Sequence, residues 1–291
     1  MNFTKMQSAG NDYVLVVTDD TQRDWSQWAL TVCDRHFGIG ADSLLVLLPS
    51  ARADFRMRIF DADGSEAETC GNGLRCLAKY IYQKGLVSAG TDRILIETIA
   101  GTREVTLYLQ GGRLIGIQAN MGKPEFRAED IPVVIESGEG KVVDIKSMLS
   151  YPVTVGRNEL RLNLVSMGNP HAVYFWEHPV ADFPLAELGP EVENLEIFPN
   201  RINFEVARVV SRQQIEVRTW ERGVGETLAC GSGACAVAVA ARLHGYIESR
   251  VDVEVRGGML QVEWDGTDDV LLSGPAEIVF EGEWPDEPDE V

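Results

Sequence analysis

The chain has 291 residues, 45% of them hydrophobic and 24% charged, enough apolar material for a sizeable core and a length that predicts two domains. With 26 Lys and Arg against 45 Asp and Glu, its formal charge of −19 argues against nucleic acid and anionic membrane surfaces as partners. The opening Met1-Asn2-Phe3-Thr4-Lys5 runs into mixed sequence with no apolar signal-peptide core. No apolar run approaches the roughly 18 residues of a spanning helix, so a cytoplasmic chain is expected.

In chain order, apolar runs and alternating patterns predict strands at Tyr13–Val17, Leu44–Leu48, Phe55–Ile59, Ile94–Thr98 and Glu104–Leu109. They continue at Ala172–Phe175, Val206–Val210, Ile215–Val217, Val251–Val255 and Ala276–Phe280. Two segments read differently. Leu77–Ile81 and Ala236–Ala240 are helical stretches, each opened by Cys-Gly-x-Gly and closed by a glycine suited to a helix C-terminus, Gly85 and Gly245. The acidic, Pro-broken end Glu283–Val291 predicts a frayed tail.

Five cysteines, an odd number with no Cys-x-x-Cys, argue against a disulfide scaffold and against structural zinc. Reduced thiols are expected.

The two helical segments belong to an internal repeat. Laying Phe55–Gly85 over Ile215–Gly245 makes seven of the thirty-one positions identical, among them Arg58/Arg218, Glu66/Glu226, Cys70/Cys230 and Gly73/Gly233. Upstream, Gly10-Asn11 matches Gly168-Asn169, and the main register also pairs Ser43 with Asn203 and Asp61 with Glu221. The predicted fold is α+β. Two pseudo-symmetric lobes each wrap a mostly antiparallel sheet around one central helix, with the active site in the cleft between them. One lobe is residues 1–118 plus 276–291, carrying Cys70; the other is 119–275, carrying Cys230.

A cysteine at a helix start lies beside unpaired amides and the positive end of the helix dipole, which stabilise a thiolate and an anionic ligand. Two such cysteines converging on one α-carboxylate would flank its Cα. One removes the α-proton and the other returns one to the opposite face, and the amides hold the developing enediolate. Nothing in this chemistry calls for pyridoxal phosphate, flavin or metal. Cys33, Cys76 and Cys235 lack the paired setting and read as small buried residues.

The segment Asp61-Ala62-Asp63-Gly64-Ser65-Glu66 runs into Cys70-Gly71-Asn72-Gly73, and Glu221-Arg222-Gly223 leads into Ala229-Cys230-Gly231-Ser232-Gly233. With Ser8-Ala9-Gly10-Asn11-Asp12, Phe37-Gly38-Ile39-Gly40-Ala41-Asp42 and Met167-Gly168-Asn169-Pro170-His171, they resemble the diaminopimelate epimerase family, over nearly the whole chain. The resemblance implies an enzyme without cofactor or metal that interconverts LL- and meso-2,6-diaminopimelate, for lysine and peptidoglycan precursors. It makes Cys70 and Cys230 the acid/base thiols and gives the reacting carboxylate to the backbone of Gly71, Asn72, Gly231 and Ser232. Asn11, Asn169, Asn203, Glu221 and Arg222 would contact substrate, with His171 and Glu221 as tuning and amine-binding neighbours. Phe280 would lie at a homodimer contact.

The resemblance places Ser43 and Asp61 among the substrate-binding residues too, but both depart from the family pattern: Ser43 stands where a glutamine is frequent, and Asp61 where an asparagine is. A carboxylate at 61 would repel a distal carboxylate unless Arg222 or the distal ammonium compensates. Three readings compete. A proline racemase-like enzyme would have no use for Arg222. A single-cysteine hydrolase using His171 would leave the second Cys-Gly-x-Gly unexplained. A two-lobed amino-acid binding protein would tolerate loss of both thiols.

Overall fold

The computed structural model describes residues 1–68, 70–134 and 148–285; the predicted frayed tail lies, from residue 286 on, outside them. Its start is held and not frayed, with Glu283 paired to Asn2 and the Trp284 amide donating to the Met1 carbonyl. The chain divides into two compact units, Met1–Asn120 with Ser273–Val291, and Met121–Leu272.

The first unit is built from β1 (Asn2–Ser8), β2 (Asn11–Val17), α1 (Trp25–Val32), β3 (Ser43–Leu48), β4 (Phe55–Asp61) and β5 (Glu66–Ala67). It continues with α2 (Gly71–Gln83), β6 (Arg93–Thr98), β7 (Gly101–Gln110) and β8 (Arg113–Asn120). The second holds β9 (Tyr151–Val155), β10 (Asn158–Ser166), β11 (Pro170–Phe175), α3 (Leu185–Glu193), β12 (Asn203–Ser211), β13 (Gln214–Glu221) and β14 (Gly225–Glu226). After these come α4 (Gly231–Leu243), β15 (Arg250–Val255) and β16 (Gly258–Glu263). Strand β17 (Leu271–Ser273) spans the boundary, and β18 (Glu277–Glu283) pairs antiparallel with β1.

The connectivity repeats. In the first unit β1–β2, β3–β4, β6–β7 and β7–β8 are antiparallel, while β2–β3 and β4–β6 are parallel. In the second, β10–β11, β12–β13 and β15–β16 are antiparallel, while β11–β12 and β13–β15 are parallel. Parallel neighbours need a crossover, which α1 and α2 supply in one unit and α3 and α4 in the other. Ser43–Leu48 is buried at every position, as a strand covered on both faces should be.

The long helices are the cores around which the sheets wrap. Helix α2 touches β1, β2, β3, β7, β8 and β18, and α4 touches β10, β11, β12, β15 and β16. Ala234 to Ala241 of α4 is buried without a break, so this helix has no solvent face over two turns. Both helices end as the glycines predict. Gly85 and Gly245 take φ of 67° and 74°, and Leu86 and Tyr246 donate back to Ile81 and Ala241.

The repeat predicted one helix per lobe; the structure adds α1 and α3. Helix α1 is eight residues long, capped by Asp24, and buries only Trp25, Ala29 and Val32, too short a period to separate from an apolar strand.

Candidate active site

Cys70 and Cys230 are the N-cap residues of α2 and α4, each in extended backbone, with Gly71 and Gly231 opening the helices. The first turns of these helices carry amides outside the intrahelical ladder, the expected anion cradle.

Around Cys70 the first unit gathers Asn11, Tyr13, Asn72 and Arg75. The Tyr13 hydroxyl lies 3.2 Å from the Cys70 sulfur and donates to Asn11 Oδ1, which also receives Asn72 Nδ2 at 3.4 Å. Arg75, fully buried, donates to the Gly71 carbonyl (3.2 Å), Ser8 Oγ (2.7 Å) and Asn72 Oδ1 (2.6 Å). Ser43 and Asp61 are register partners on β3 and β4, and Ser43 Oγ donates to Asp61 Oδ1 at 2.9 Å. Burial pushes the Asp61 carboxyl up; the Ser43 hydrogen bond opposes this, and Asp63 and Asp42 add to it.

In the second unit, His171 is fully buried. Its Nδ1 lies 2.8 Å from Glu205 Oε1 and its Nε2 2.9 Å from Asn169 Oδ1. Asn203 gives Nδ2 to the Pro170 carbonyl and receives the Arg222 amide on Oδ1, so its side chain ties two backbone segments together. Arg222 is half-buried, with Nη1 donating to the Asn200 carbonyl at 3.2 Å and further donors remaining on its guanidinium. Glu221 receives Thr227 Oγ1 at 2.5 Å. Cys230 Sγ is capped by the Gly233 amide at 3.4 Å and lies 3.5 Å from Ser232 Oγ.

The expectation that a helix start lowers the thiol's titration does not hold for Cys230. Burial pushes it well above its usual value, and the charges of Glu221 and Glu205 push the same way, outweighing the Ser232 and Gly233 hydrogen bonds. Cys33 and Cys76 are pushed up to about 12 by burial, as inert core thiols should be, and Cys235 is buried too.

Three of these residues went unread in the sequence: Tyr13, Arg75 and Glu205. Tyr13 and His171 stand in the register that pairs Asn11 with Asn169, and both bond to their asparagine. Glu205 stands where the first half has Leu45. A Cβ placed on Gly73 would meet Leu45 Cδ2 at 3.1 Å, whereas one on Gly233 would lie 2.6 Å from Glu205 Oε1. Glu205 is wholly buried and held by His171, and its Oε2 has no hydrogen-bond partner among the described residues. Gly233→Ala is therefore expected to destabilise the fold by about 2–4 kcal/mol, through displacement of a buried carboxylate. Gly73→Ala is expected to change it by less than about 1 kcal/mol. Urea unfolding of both variants checks this, and equal midpoints would contradict it.

The sequence model of the diaminopimelate epimerase family matches residues 3–127 and 163–279. The chain belongs to the diaminopimelate epimerase family. It is 46% identical over 287 residues to the diaminopimelate epimerase of Desulfovibrio desulfuricans, covering 98% of each chain. To that of Moorella thermoacetica it is 45% identical, covering 98% of this chain and 99% of the relative. To that of Methanococcus maripaludis it is 42% identical, covering 97% and 99%.

Solved structures share the fold at far lower identity. A phenazine biosynthesis protein of the PhzF family from Bacillus anthracis is similar with a TM-score of 0.70 at 18% identity, covering 98% of this chain and 99% of that one. A probable proline racemase from Agrobacterium radiobacter gives 0.74 at 14%, covering 99% and 94%. As an epimerase by family, the chain is an enzyme. No helix of the described residues is long and apolar enough to cross a membrane.

Proposed function

We propose that the chain interconverts LL- and meso-2,6-diaminopimelate, with Cys70 and Cys230 as its two proton-transfer groups. The observation that carries this reading is the repeated cap: in both units a cysteine ends a loop and opens the central helix with glycine next to it. A reaction whose two directions run through opposite faces of one carbon calls for two matched groups, and the repeat supplies two.

One sulfur, as thiolate, takes the α-proton, and the other, as thiol, protonates the opposite face. The helix-start amides at Gly71, Asn72, Gly231 and Ser232 stabilise the enediolate between those events. Burial and the neighbouring carboxylates keep Cys230 protonated in the free chain, the form that donates. Asn11, Asn72, Asn169, Asn203 and Glu221 contact the substrate, with His171 tuning the site, and Arg222 offers a fork to the distal carboxylate. The upward push on Asp61 eases its repulsion of that carboxylate, and Ser43 holds it in place.

The reading includes a homodimer. Val279 and Phe280 on β18 are 56% and 48% exposed, where a core strand would have hidden them, and Phe280 sits edge-on to Phe3 at 5.9 Å. It also includes the cytoplasm, since working thiols suit a reducing compartment.

Incubating the purified chain with LL-2,6-diaminopimelate in D₂O with reductant tests the reading. The expected result is meso isomer carrying α-deuterium. No exchange with this substrate, alongside exchange into proline, would replace the substrate assignment.

A further inference from the structure

We propose that Tyr13 is a third catalytic residue, a phenol that accepts the Cys70 S–H while the sulfur holds its proton and turns to donate to the sulfur once the proton has left. The proposal rests on the role given to Cys70 above.

The hydrogen-bond inventory leads to it. A phenol has one proton to give. Tyr13 gives it to Asn11 Oδ1, so the 3.2 Å contact with Cys70 has the thiol as donor and the phenol oxygen as acceptor. When Cys70 delivers its proton to a substrate carbon, the sulfur becomes an anion with no proton to share, and the same contact would set a lone pair against a negative charge. Rotation about the C–O bond moves the phenolic hydrogen from Asn11 to the sulfur and restores a donor, now charge-assisted. Asn11 Oδ1 keeps Asn72 Nδ2 as a donor at 3.4 Å. On the return stroke the thiolate takes a proton from substrate and the hydroxyl swings back. No proton leaves the phenol in either direction, so the count balances with Cys70 and substrate alone.

The surroundings favour this use of the ring. Tyr13 is fully buried, so rotation of its hydroxyl competes with no solvent. Burial pushes its own titration well above the usual value, and negative charge on the Cys70 or Cys76 sulfur pushes the same way against the Arg75 charge, so the phenol keeps its proton when Cys70 is a thiolate. The repeat shows that the position is specialised. The matching residue of the second unit, His171, also bonds its asparagine, Asn169, but turns its other nitrogen to Glu205. At Glu205's position the first unit carries Leu45, which offers no hydrogen bond, and Tyr13 bonds to the sulfur.

Tyr13→Phe removes one oxygen and keeps the ring. In the full chain, kcat/KM for epimerisation is expected to fall on the order of 10- to 100-fold, the worth of one hydrogen bond to a charged group, mostly in kcat. The pH midpoint of Cys70 alkylation by iodoacetamide, read by peptide mass spectrometry, is expected to rise. A ring that only fills space would alter melting and leave that midpoint in place. If Tyr13→Phe does not fold, a fluorotyrosine at position 13 keeps the shape with a stronger donor and is expected to lower the midpoint. An unchanged midpoint with kcat/KM within about twofold of the parent overturns the proposal. A midpoint shift in a chain inert towards diaminopimelate supports the Tyr13–Cys70 pairing and overturns the substrate assignment instead.

Discussion

Cys70→Ala and Cys230→Ala are each expected to lower epimerisation by at least about 10³-fold, because each removes one of two acid/base groups and neither can act for the other. Mixing the two inactive variants is expected to restore nothing, as each molecule still lacks one group. The test discriminates between chemistries. A single-cysteine hydrolase would tolerate one replacement, and a binding protein would tolerate both with unchanged affinity. Both sites accommodate alanine structurally: each cysteine opens a helix whose packing rests on residues further along, such as Leu77 and Ile81 or Val237 and Val239. Circular dichroism of the variants should therefore match the parent. Alkylation adds a second reading on the native chain. Cys70 is the only one of the five cysteines that is not buried, so it should be modified first. Cys230, pushed well above its usual titration, should follow only as the solution turns alkaline. Cys33 and Cys76, pushed up to about 12, should react only on unfolding. Full activity in either alanine variant would contradict the two-thiol reading.

What the sequence revealed depended on how local the signal was. The two Cys-Gly-x-Gly segments were legible because a cap, a glycine and an apolar helix lie within a few residues of each other and occur twice. The strand alternation at Phe55–Ile59 was legible for the same reason. Tyr13 was hidden inside an apolar strand, where a tyrosine reads as core; only the fold brings its hydroxyl to a sulfur 57 positions along the chain. Glu205 was hidden in the same way, within the apolar run of β12, and its buried bond to His171 spans 34 positions. Arg75 went unread because nothing local to it separates a buried cation from a solvated one. Ser43 and Asp61 were visible as departures from the family pattern, and the strand register shows that they meet each other. The titration of Cys230 was misjudged because a helix start is a local feature, whereas desolvation and two carboxylates from β12 and β13 are tertiary ones.

Arg75→Met is expected to destabilise the fold by roughly 3 kcal/mol and to weaken the site with it. The guanidinium is buried to 0% exposure at the start of α2, an expensive place for a charge unless its donors are all used. Three of its contacts show what it holds: the Gly71 carbonyl in the first turn, Asn72 beside the candidate carboxylate cradle, and Ser8 at the end of β1. Ser8 in turn donates to the Pro275 carbonyl at 2.7 Å, so the arginine joins the helix start to two separated stretches of chain. Methionine fills much of the same volume but takes its donor away from the buried Asn72 amide oxygen and leaves Ser8 Oγ with its bond to Pro275 alone, and that desolvation is the source of the loss. The second unit shows that the position itself does not demand a cation, because the matching residue is Cys235, small and wholly buried. The arginine is thus a device of the Cys70 half. Arg75→Lys separates charge from geometry: it keeps the cation and loses the fork, so stability should recover in part while Asn72 remains loosely held. Urea unfolding of the three chains measures the first effect. Epimerisation kinetics at a temperature where all are folded measures the second, with kcat/KM falling in both variants. A methionine variant as stable as the parent would show that the buried network contributes no net stability, and unchanged kinetics would remove Asn72 from the site.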